Sequence, residues 1–122
     1  MYELELPLPP GTNRIWRVYH GITVLSKEAR DFKQKVFMLA KERHLDEPTE
    51  DNVVVNILYA PKARKKETNR PMRRMDVDAV IKPVLDSLIG IAYVDDKQVI
   101  DVRSRIVDPI EGGRIIVMWR AA

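Results

Sequence analysis

One stretch of the sequence, residues 73–96, restricts the fold more than any other. It begins with two arginines and an Asp-x-Asp motif, continues as an apolar helical pattern that carries a lysine, and ends in a second pair of aspartates. The acidic residues Asp76 and Asp78 therefore precede the predicted helix, and Asp95 and Asp96 follow it. A helix that runs one way and a strand that returns would bring carboxylates from both ends together.

The spacing of the first two aspartates predicts their local structure. Residues two apart point to opposite sides of a helix but to the same side of extended chain. We therefore place Asp76 in extended chain and Asp78 at the N-cap, where a carboxylate suits the positive end of a helix. The helix is predicted to have roughly 11 residues and to end at Gly90. Its apolar stripe comprises Val77, Val80, Ile81, Val84, Leu85 and Leu88.

We assign expected roles to three further residues of this helix. Lys82 lies one turn beyond Asp78 and is expected to reach back over it. Pro83 is expected to remove a backbone hydrogen bond and to kink the helix. Asp86 is interpreted as a capping or ion-pair residue.

Carboxylates brought together in this way need a positive partner. Two of them about 4 Å apart repel by about 4 kcal/mol at an effective dielectric near 20. Hard Mg²⁺ or Mn²⁺ is the natural partner for oxygen ligands, so we expect Asp76, Asp78 and Asp96 to bind one of these ions. Asp95 is a rival to Asp96, since the sequence does not separate the two neighbours.

Positive charge is concentrated just before the Asp-x-Asp motif. The whole chain has a net charge of only +3, yet residues 62–74 contain seven basic residues and one acid, so the remainder is net acidic. Residues 61–75 are predicted to form a mobile basic loop, because they contain prolines and lack apolar periodicity. One cationic segment on an acidic body fits local phosphate binding. The seven basic residues are Lys62, Arg64, Lys65, Lys66, Arg70, Arg73 and Arg74.

The remaining patterns predict an α+β fold in a single domain, residues 1–122, with a small mixed β-sheet and two main helices packed on it. Ser26 is predicted to cap a long helix that reaches residue 44. Strands are predicted at residues 2–8, twice within 14–25 on either side of a turn at His20-Gly21, at 52–60 (central and buried on both faces), at 97–108, and at 114–119, where the last closes a hairpin. The core face of the fifth strand comprises Gln98, Ile100, Val102, Ser104 and Ile106.

Other features narrow the class of protein. The chain has no cysteine, which excludes disulfides and thiolate metal sites. No apolar run approaches the roughly 18 residues that a membrane helix needs. The N-terminus carries acidic residues and prolines instead of a signal-peptide pattern. These features lead us to expect a cytoplasmic protein without a membrane partner.

The full string of the central stretch resembles the RusA-type Holliday junction resolvases. It reads Arg-Arg-x-Asp-x-Asp-x-x-x-Lys-Pro-Val-Leu-Asp-Ser-Leu, followed by Val-Asp-Asp-Lys-Gln-Val, and the resemblance extends over roughly residues 7–107. It implies a RusA-like fold and a catalytic group of Asp76, Asp78, Asp96 and Lys82. Ala79 departs from the pattern, because the family usually has Asn there.

A second motif near the N-terminus supports the same resemblance. Pro-Pro-Gly-Thr-Asn-Arg, followed by an aromatic residue and Arg17, is similar to the N-terminal motif of this family. It implies that Asn13, Arg14 and Arg17 contact DNA, together with the seven basic residues of the loop.

The resemblance implies an Mg²⁺-dependent, structure-selective endodeoxyribonuclease that resolves four-way junctions by paired symmetric nicks, in a bacterial or phage-infected cell. Two symmetric cuts call for two active sites, and hence for a homodimer. Trp119 and the C-terminal strand are the hypothetical dimer surface. Two other functions stay open: a metal-dependent nuclease for other branched or flap DNA, and a non-catalytic DNA-binding module whose carboxylates only cap and pair.

Overall fold

A computed structural model describes residues 1–11, 15–63 and 74–122. Within them it shows a four-stranded mixed sheet, a separate two-stranded sheet and two α-helices, which confirms the predicted α+β fold. The elements are β1 (Tyr2–Leu6), β2 (Trp16–Tyr19), β3 (Ile22–Leu25), α1 (Lys27–Glu42), β4 (Val53–Ala60), α2 (Ile81–Ser87), a 3₁₀ helix (Asp96–Gln98), β5 (Val99–Ile106) and β6 (Arg114–Ala121). None of the helices in these ranges is long and apolar enough to cross a membrane.

The strand order of the main sheet is β1-β6-β4-β5, with β4 in the interior as predicted. β4 pairs parallel with β5 and antiparallel with β6. The predicted hairpin of the last two strands is therefore wrong, because β4 lies between β5 and β6. A parallel pair needs a long crossover, and the chain between β4 and β5, which contains α2, provides it. That crossover carries all the predicted catalytic residues.

The core lies between the sheet and the helices. Alternate residues of β4 (Val53, Val55, Ile57, Tyr59) are buried in one cluster with side chains of β1, β6, α1 and α2. Their neighbours on the opposite face of β4 are only half-buried, so the prediction of burial on both faces holds for one face. Trp119 is 4% exposed and stacks on Tyr2, so the hypothesis that it forms a dimer surface is wrong.

The N-terminal elements follow the predicted pattern. β2 and β3 form a hairpin whose turn residues His20 and Gly21 both have positive φ, as a two-residue hairpin turn with the right twist requires. Ser26 caps α1, since its hydroxyl accepts a 3.1 Å hydrogen bond from the Ala29 backbone N–H. The buried face of α1 then packs on the core.

The helix α2 is shorter than predicted and begins later. It has seven residues and its N-cap is Val80, not Asp78, without a side-chain cap. Pro83 explains the late start, because a residue without an N–H is tolerated within the first turn and disrupts a helix interior. The first backbone bond of the helix runs from Val84 N to Val80 O over 3.2 Å, beyond the proline. The predicted kink is therefore wrong, and so is the burial of Val77, which precedes the helix and is 41% exposed.

The edge strand β5 differs from its predicted core face in its first half. Ser104 and Ile106 pair with β4 residues that face the core, as predicted; Val102 does so too but is 36% exposed, and Gln98 precedes the strand in the 3₁₀ helix. Ile100 was predicted on the same face, but it is 60% exposed. The register shifts at the start of the pair, where Val53 faces Val99 and the next residue of β4 faces Asp101. This irregularity leaves Ile100 unpaired and turns its side chain outward.

Candidate active site

Lys82 connects two distant parts of the chain. Its Nζ lies 2.8 Å from Asp86 Oδ1 and 3.2 Å from Asp96 Oδ2. Asp86 lies one turn further along α2, whereas Asp96 opens the 3₁₀ helix before β5. The prediction that Lys82 reaches back over Asp78 is wrong, because α2 begins after Asp78 and the lysine side chain extends toward Asp86 and Asp96. The interpretation of Asp86 as an ion-pair residue is confirmed.

The charges of this group shape its chemistry. The hydrogen bonds to Asp86 and then to Asp96 raise the pKa of Lys82 above its ordinary value, against a smaller opposing effect of burial. The Lys82 side chain is 69% exposed, so a charged ammonium faces solvent and an approaching anion. Two carboxylates surround this single ammonium, and the group therefore keeps a formal negative charge that a cation would offset.

The structure separates the neighbours Asp95 and Asp96. Asp95 is the N-cap of the 3₁₀ helix, and its carboxylate accepts a 2.9 Å hydrogen bond from the Lys97 N–H. The Gln98 side chain completes a capping box by accepting from the Asp95 N–H over 2.9 Å. The Asp95 carboxylate therefore caps the 3₁₀ helix, whereas the Asp96 carboxylate forms the ion pair with Lys82. The Asp-x-x-Gln spacing in the sequence is the signal for this capping box.

The Asp-x-Asp motif lies on consecutive turns outside regular structure. The Asp76 carbonyl accepts from the Ala79 N–H over 3.0 Å, and the Asp78 carbonyl accepts from the Ile81 N–H over 3.1 Å. Both aspartate side chains are exposed. Among the described residues, neither carboxylate has a hydrogen bond or ion pair.

Two uncharged side chains attach this motif to the sheet. The Tyr59 hydroxyl of β4 accepts from the Met75 N–H over 3.1 Å, and the Ser104 hydroxyl of β5 donates to the Val77 carbonyl over 2.7 Å. Tyr59 and Ser104 are not among the predicted site residues. The signal for Ser104 in the sequence is a serine between the apolar residues Val102 and Ile106 of one strand face.

The predicted metal ligands are not assembled as a cluster. In residues 1–11, 15–63 and 74–122, no group of three or more His, Cys, Asp or Glu side chains could hold a metal ion. The carboxylate oxygens of Asp76, Asp78 and Asp96 suit hard Mg²⁺ chemically. What the described structure brings together is Lys82, Asp86 and Asp96.

The predicted DNA contacts fall into two sets. Arg17, Lys62 and Arg74 are described and exposed, and Arg17 lies 3.8 Å from Glu28. Lys62 and Arg74 stand close to the two ends of segment 64–73, which covers most of the predicted loop 61–75. Outside the described residues lie Asn13, Arg14, Arg64, Lys65, Lys66, Arg70 and Arg73.

The fold and the site define a small α+β protein with an aspartate–lysine site suited to phosphate chemistry. The sequence profile described as "Endodeoxyribonuclease RusA" matches residues 7–119. The chain belongs to the RusA endodeoxyribonuclease family. This membership confirms the predicted resemblance and the predicted enzyme class.

Individual relatives support the same assignment. Proteins from Shigella sonnei (strain Ss046) and Escherichia coli (strain K12) are each 30% identical over 115 residues, which covers 93% of this chain and 89% of theirs. A protein of Enterobacteria phage HK97 is 27% identical over 116 residues, with the same coverage. All three are named crossover junction endodeoxyribonuclease RusA. The similarity therefore extends over nearly the full length of this chain and of each relative.

Proposed function

We propose that this chain is an Mg²⁺-dependent endodeoxyribonuclease that resolves four-way DNA junctions by paired symmetric nicks. The observation that carries the proposal is the contact of Lys82, on the helix that follows the Asp-x-Asp motif, with Asp96 of the second acidic pair. The names of the relatives, crossover junction endodeoxyribonucleases, supply the substrate class. These relatives come from bacteria and phages, and we place the activity in the cytoplasm of such cells.

Lys82 acts on the phosphate. Its ammonium is charged and largely exposed, and it stabilises the negative charge that develops on the phosphorane or the leaving oxygen. The hydrogen bonds to Asp86 and Asp96 restrict the lysine rotamers, and the exposed part of the side chain remains open to the DNA. Asp86 thus acts as a positioning residue for Lys82.

Asp76, Asp78 and Asp96 are the proposed ligands for Mg²⁺, with Mn²⁺ as a substitute. Bound Mg²⁺ would supply a water of lowered pKa as the nucleophile. The exposed carboxylates of Asp76 and Asp78 have no partner among the described residues and remain available as ligands. The group of Lys82, Asp86 and Asp96 has a net formal charge of −1, which favours binding of a further cation at Asp96.

DNA binding is assigned to the basic residues predicted from the sequence. Arg17, Lys62 and Arg74 present exposed cations. The sequence between Lys62 and Arg74 adds five more basic residues, and Asn13 and Arg14 near the N-terminus complete the predicted set. Each contact with a DNA phosphate releases counterions, so affinity falls steeply as salt rises.

A homodimer supplies the second active site that paired nicks require. The proposed contact with the second copy is the face of the β2–β3 hairpin that carries the exposed side chains of Trp16 and Val18, because an isolated hairpin is marginally stable in water and exposed apolar side chains mark interaction sites. The strand pairing puts Arg17, a proposed DNA contact, on the opposite face with Tyr19, Ile22 and Val24. A dimer mass in light scattering, reduced to a monomer by Val18→Glu, is the expected result. An unchanged dimer in this variant would exclude the hairpin.

A cleavage assay on three DNA substrates tests the function. A mobile four-way junction, a flap and a linear duplex are incubated with and without Mg²⁺, and symmetric nicks in the junction with Mg²⁺ are expected. Preferential cutting of the flap would favour a different branched-DNA nuclease. Junction binding without any cleavage would favour a non-catalytic DNA-binding module.

The variant Asp76→Asn tests the site itself. It removes the negative charge without changing the size of the side chain, and it should abolish nicking while junction binding persists. Asp31→Asn, the same change at an exposed position of α1, is the control and should cut like the wild type. Undiminished cutting by Asp76→Asn would remove Asp76 from the site.

A further inference from the structure

The side-chain amide of Gln98 uses all of its main hydrogen-bonding positions. Its Oε1 accepts from the backbone N–H groups of Val94 and Asp95, over 3.0 and 2.9 Å. Its Nε2 donates to the backbone carbonyls of Thr49 and Asp51, over 2.8 and 2.7 Å. Two N–H groups on one side and two carbonyls on the other fix the orientation of the amide.

These four bonds connect two separate segments of the chain. Val94 and Asp95 lead directly into Asp96, and Thr49 and Asp51 belong to the connection between α1 and β4. A further bond from the Thr49 N–H to the Ala92 carbonyl, over 3.2 Å, runs between the same two regions. The backbone that carries Asp96 is thus held against the connection that precedes the central strand.

We propose that Gln98 is a positioning residue for the cleavage site, which holds the Asp96 carboxylate in register with Lys82. This inference rests on the proposed function. The Gln98 side chain makes no hydrogen bond to Lys82 or Asp96, so it acts through the backbone of the turn at residues 94–96. Asp96 has one short contact with Lys82, at 3.2 Å, and a small shift of that turn would break it.

The variant Gln98→Glu tests the two hydrogen bonds that Nε2 donates while it keeps an oxygen in the place of Oε1. Glutamate keeps the oxygen that accepts from Val94 and Asp95, but it loses the two N–H donors and places a charge against the carbonyls of Thr49 and Asp51. Gln34→Glu introduces the same chemical change at an exposed position of α1 and serves as the matched control.

Cleavage kinetics on a four-way junction, below the unfolding temperature of each variant, give the readout. Gln98→Glu should lower kcat by roughly 10–100-fold, as loss of an outer-sphere support of a metal ligand does. The Mg²⁺ concentration for half-maximal cutting should rise, while KM stays near that of the wild type. Gln34→Glu should leave all three quantities unchanged. A role in folding alone would lower the folded fraction and leave the Mg²⁺ dependence of the folded enzyme unaltered.

The outcomes separate this inference from the proposed function. If the wild type cuts and Asp96→Asn does not, a Gln98→Glu variant with wild-type kcat and Mg²⁺ dependence overturns the inference alone. Absence of cutting by the wild type overturns the proposed function and the inference with it.

Amide hydrogen exchange in the wild type gives a second test that needs no variant. The N–H groups of Val94 and Asp95 should exchange slowly although both residues are exposed, because Gln98 accepts from them. Exchange of both groups at the rate of a free peptide would overturn the inference.

Discussion

The Ser104 hydroxyl donates a 2.7 Å hydrogen bond to the backbone carbonyl of Val77, the residue between Asp76 and Asp78. This bond attaches the Asp-x-Asp turns to the edge strand β5. On the other side of the motif, Tyr59 of the central strand accepts from the Met75 N–H. The first two proposed ligands are therefore oriented by two neutral side chains of adjacent strands, and the third by Gln98.

We predict that Ser104→Ala impairs cleavage more than it impairs folding. The lost hydrogen bond should lower the free energy of unfolding by about 1 kcal/mol, whereas kcat should fall roughly 10-fold because the motif is released from β5. Urea denaturation and cleavage kinetics measure the two effects. Ser104→Thr keeps the hydroxyl on a strand that favours β-branched residues, and it should retain activity. Wild-type kcat in Ser104→Ala would show that the bond does not orient the motif.

Removal of the Lys82 charge is predicted to affect chemistry and leave stability nearly unchanged. Lys82→Gln should lower kcat by about 10²–10³-fold, the usual cost of losing one donor to a developing oxyanion. The side chain is largely exposed, and exposed ion pairs contribute little to folding, so the unfolding midpoint should barely move. Lys35→Gln, at an exposed position of α1, is the control. Equal rates in both variants would remove Lys82 from the catalytic group.

Tyr93 should make stability depend on alkaline pH. Burial, and then the charges of Asp96 and Asp86, raise the pKa of its phenol well above the ordinary value. The unfolded chain ionises near pH 10, so the folded pKa is the higher one. The stabilisation by neutral Tyr93 is then fully present below about pH 10 and is lost as the pH rises further toward the folded pKa.

The variant Tyr93→Phe isolates this effect. The phenol donates a 2.6 Å hydrogen bond to the Leu85 carbonyl, and its loss should cost about 1 kcal/mol near neutral pH. The difference in free energy of unfolding between the wild type and Tyr93→Phe should be constant up to about pH 9 and shrink above about pH 10. Lys82 is present in both proteins, so its own titration largely cancels. A difference that stays constant to higher pH would contradict the raised pKa.

The sequence predicted those elements whose signals are local. Ser26 as an N-cap and His20-Gly21 as a hairpin turn depend on residues within a few positions, and both are observed. The neighbours of each strand depend on contacts far apart in the chain. For that reason the alternation of β5 and β6 was interpreted as a hairpin, whereas the parallel pairing of β4 with β5 separates them.

Of the four predicted catalytic residues, the structure brings Lys82 and Asp96 into contact. The carboxylates of Asp76 and Asp78 make no hydrogen bond or ion pair with the described residues, so their part in the site stays a prediction. The prediction that the Lys82 side chain extends toward Asp78 is wrong, because Pro83 shifts the start of α2 so that Asp78 is no longer its N-cap. Tyr59 and Ser104 are not predictable from spacing, because each hydrogen-bonds to the backbone of a distant segment. The capping-box spacing of Asp95 and Gln98 is visible in the sequence, but the bonds of Gln98 to Thr49 and Asp51 are not.

The neighbours Asp95 and Asp96 permit a matched comparison, since the same substitution at adjacent positions should have opposite consequences. Asp95→Asn should keep both activity and stability near the wild type, because Asn is as good an N-cap as Asp and can still accept from the Lys97 N–H. Asp96→Asn should abolish cleavage, because it removes the charge that faces Lys82 and the proposed metal. Asp95→Ala completes the set. It should lower the free energy of unfolding by about 1 kcal/mol through loss of the cap. Junction cleavage and urea denaturation of the three variants measure these effects. Loss of cleavage in Asp95→Asn with retention in Asp96→Asn would reverse the assignment and place the ligand at Asp95.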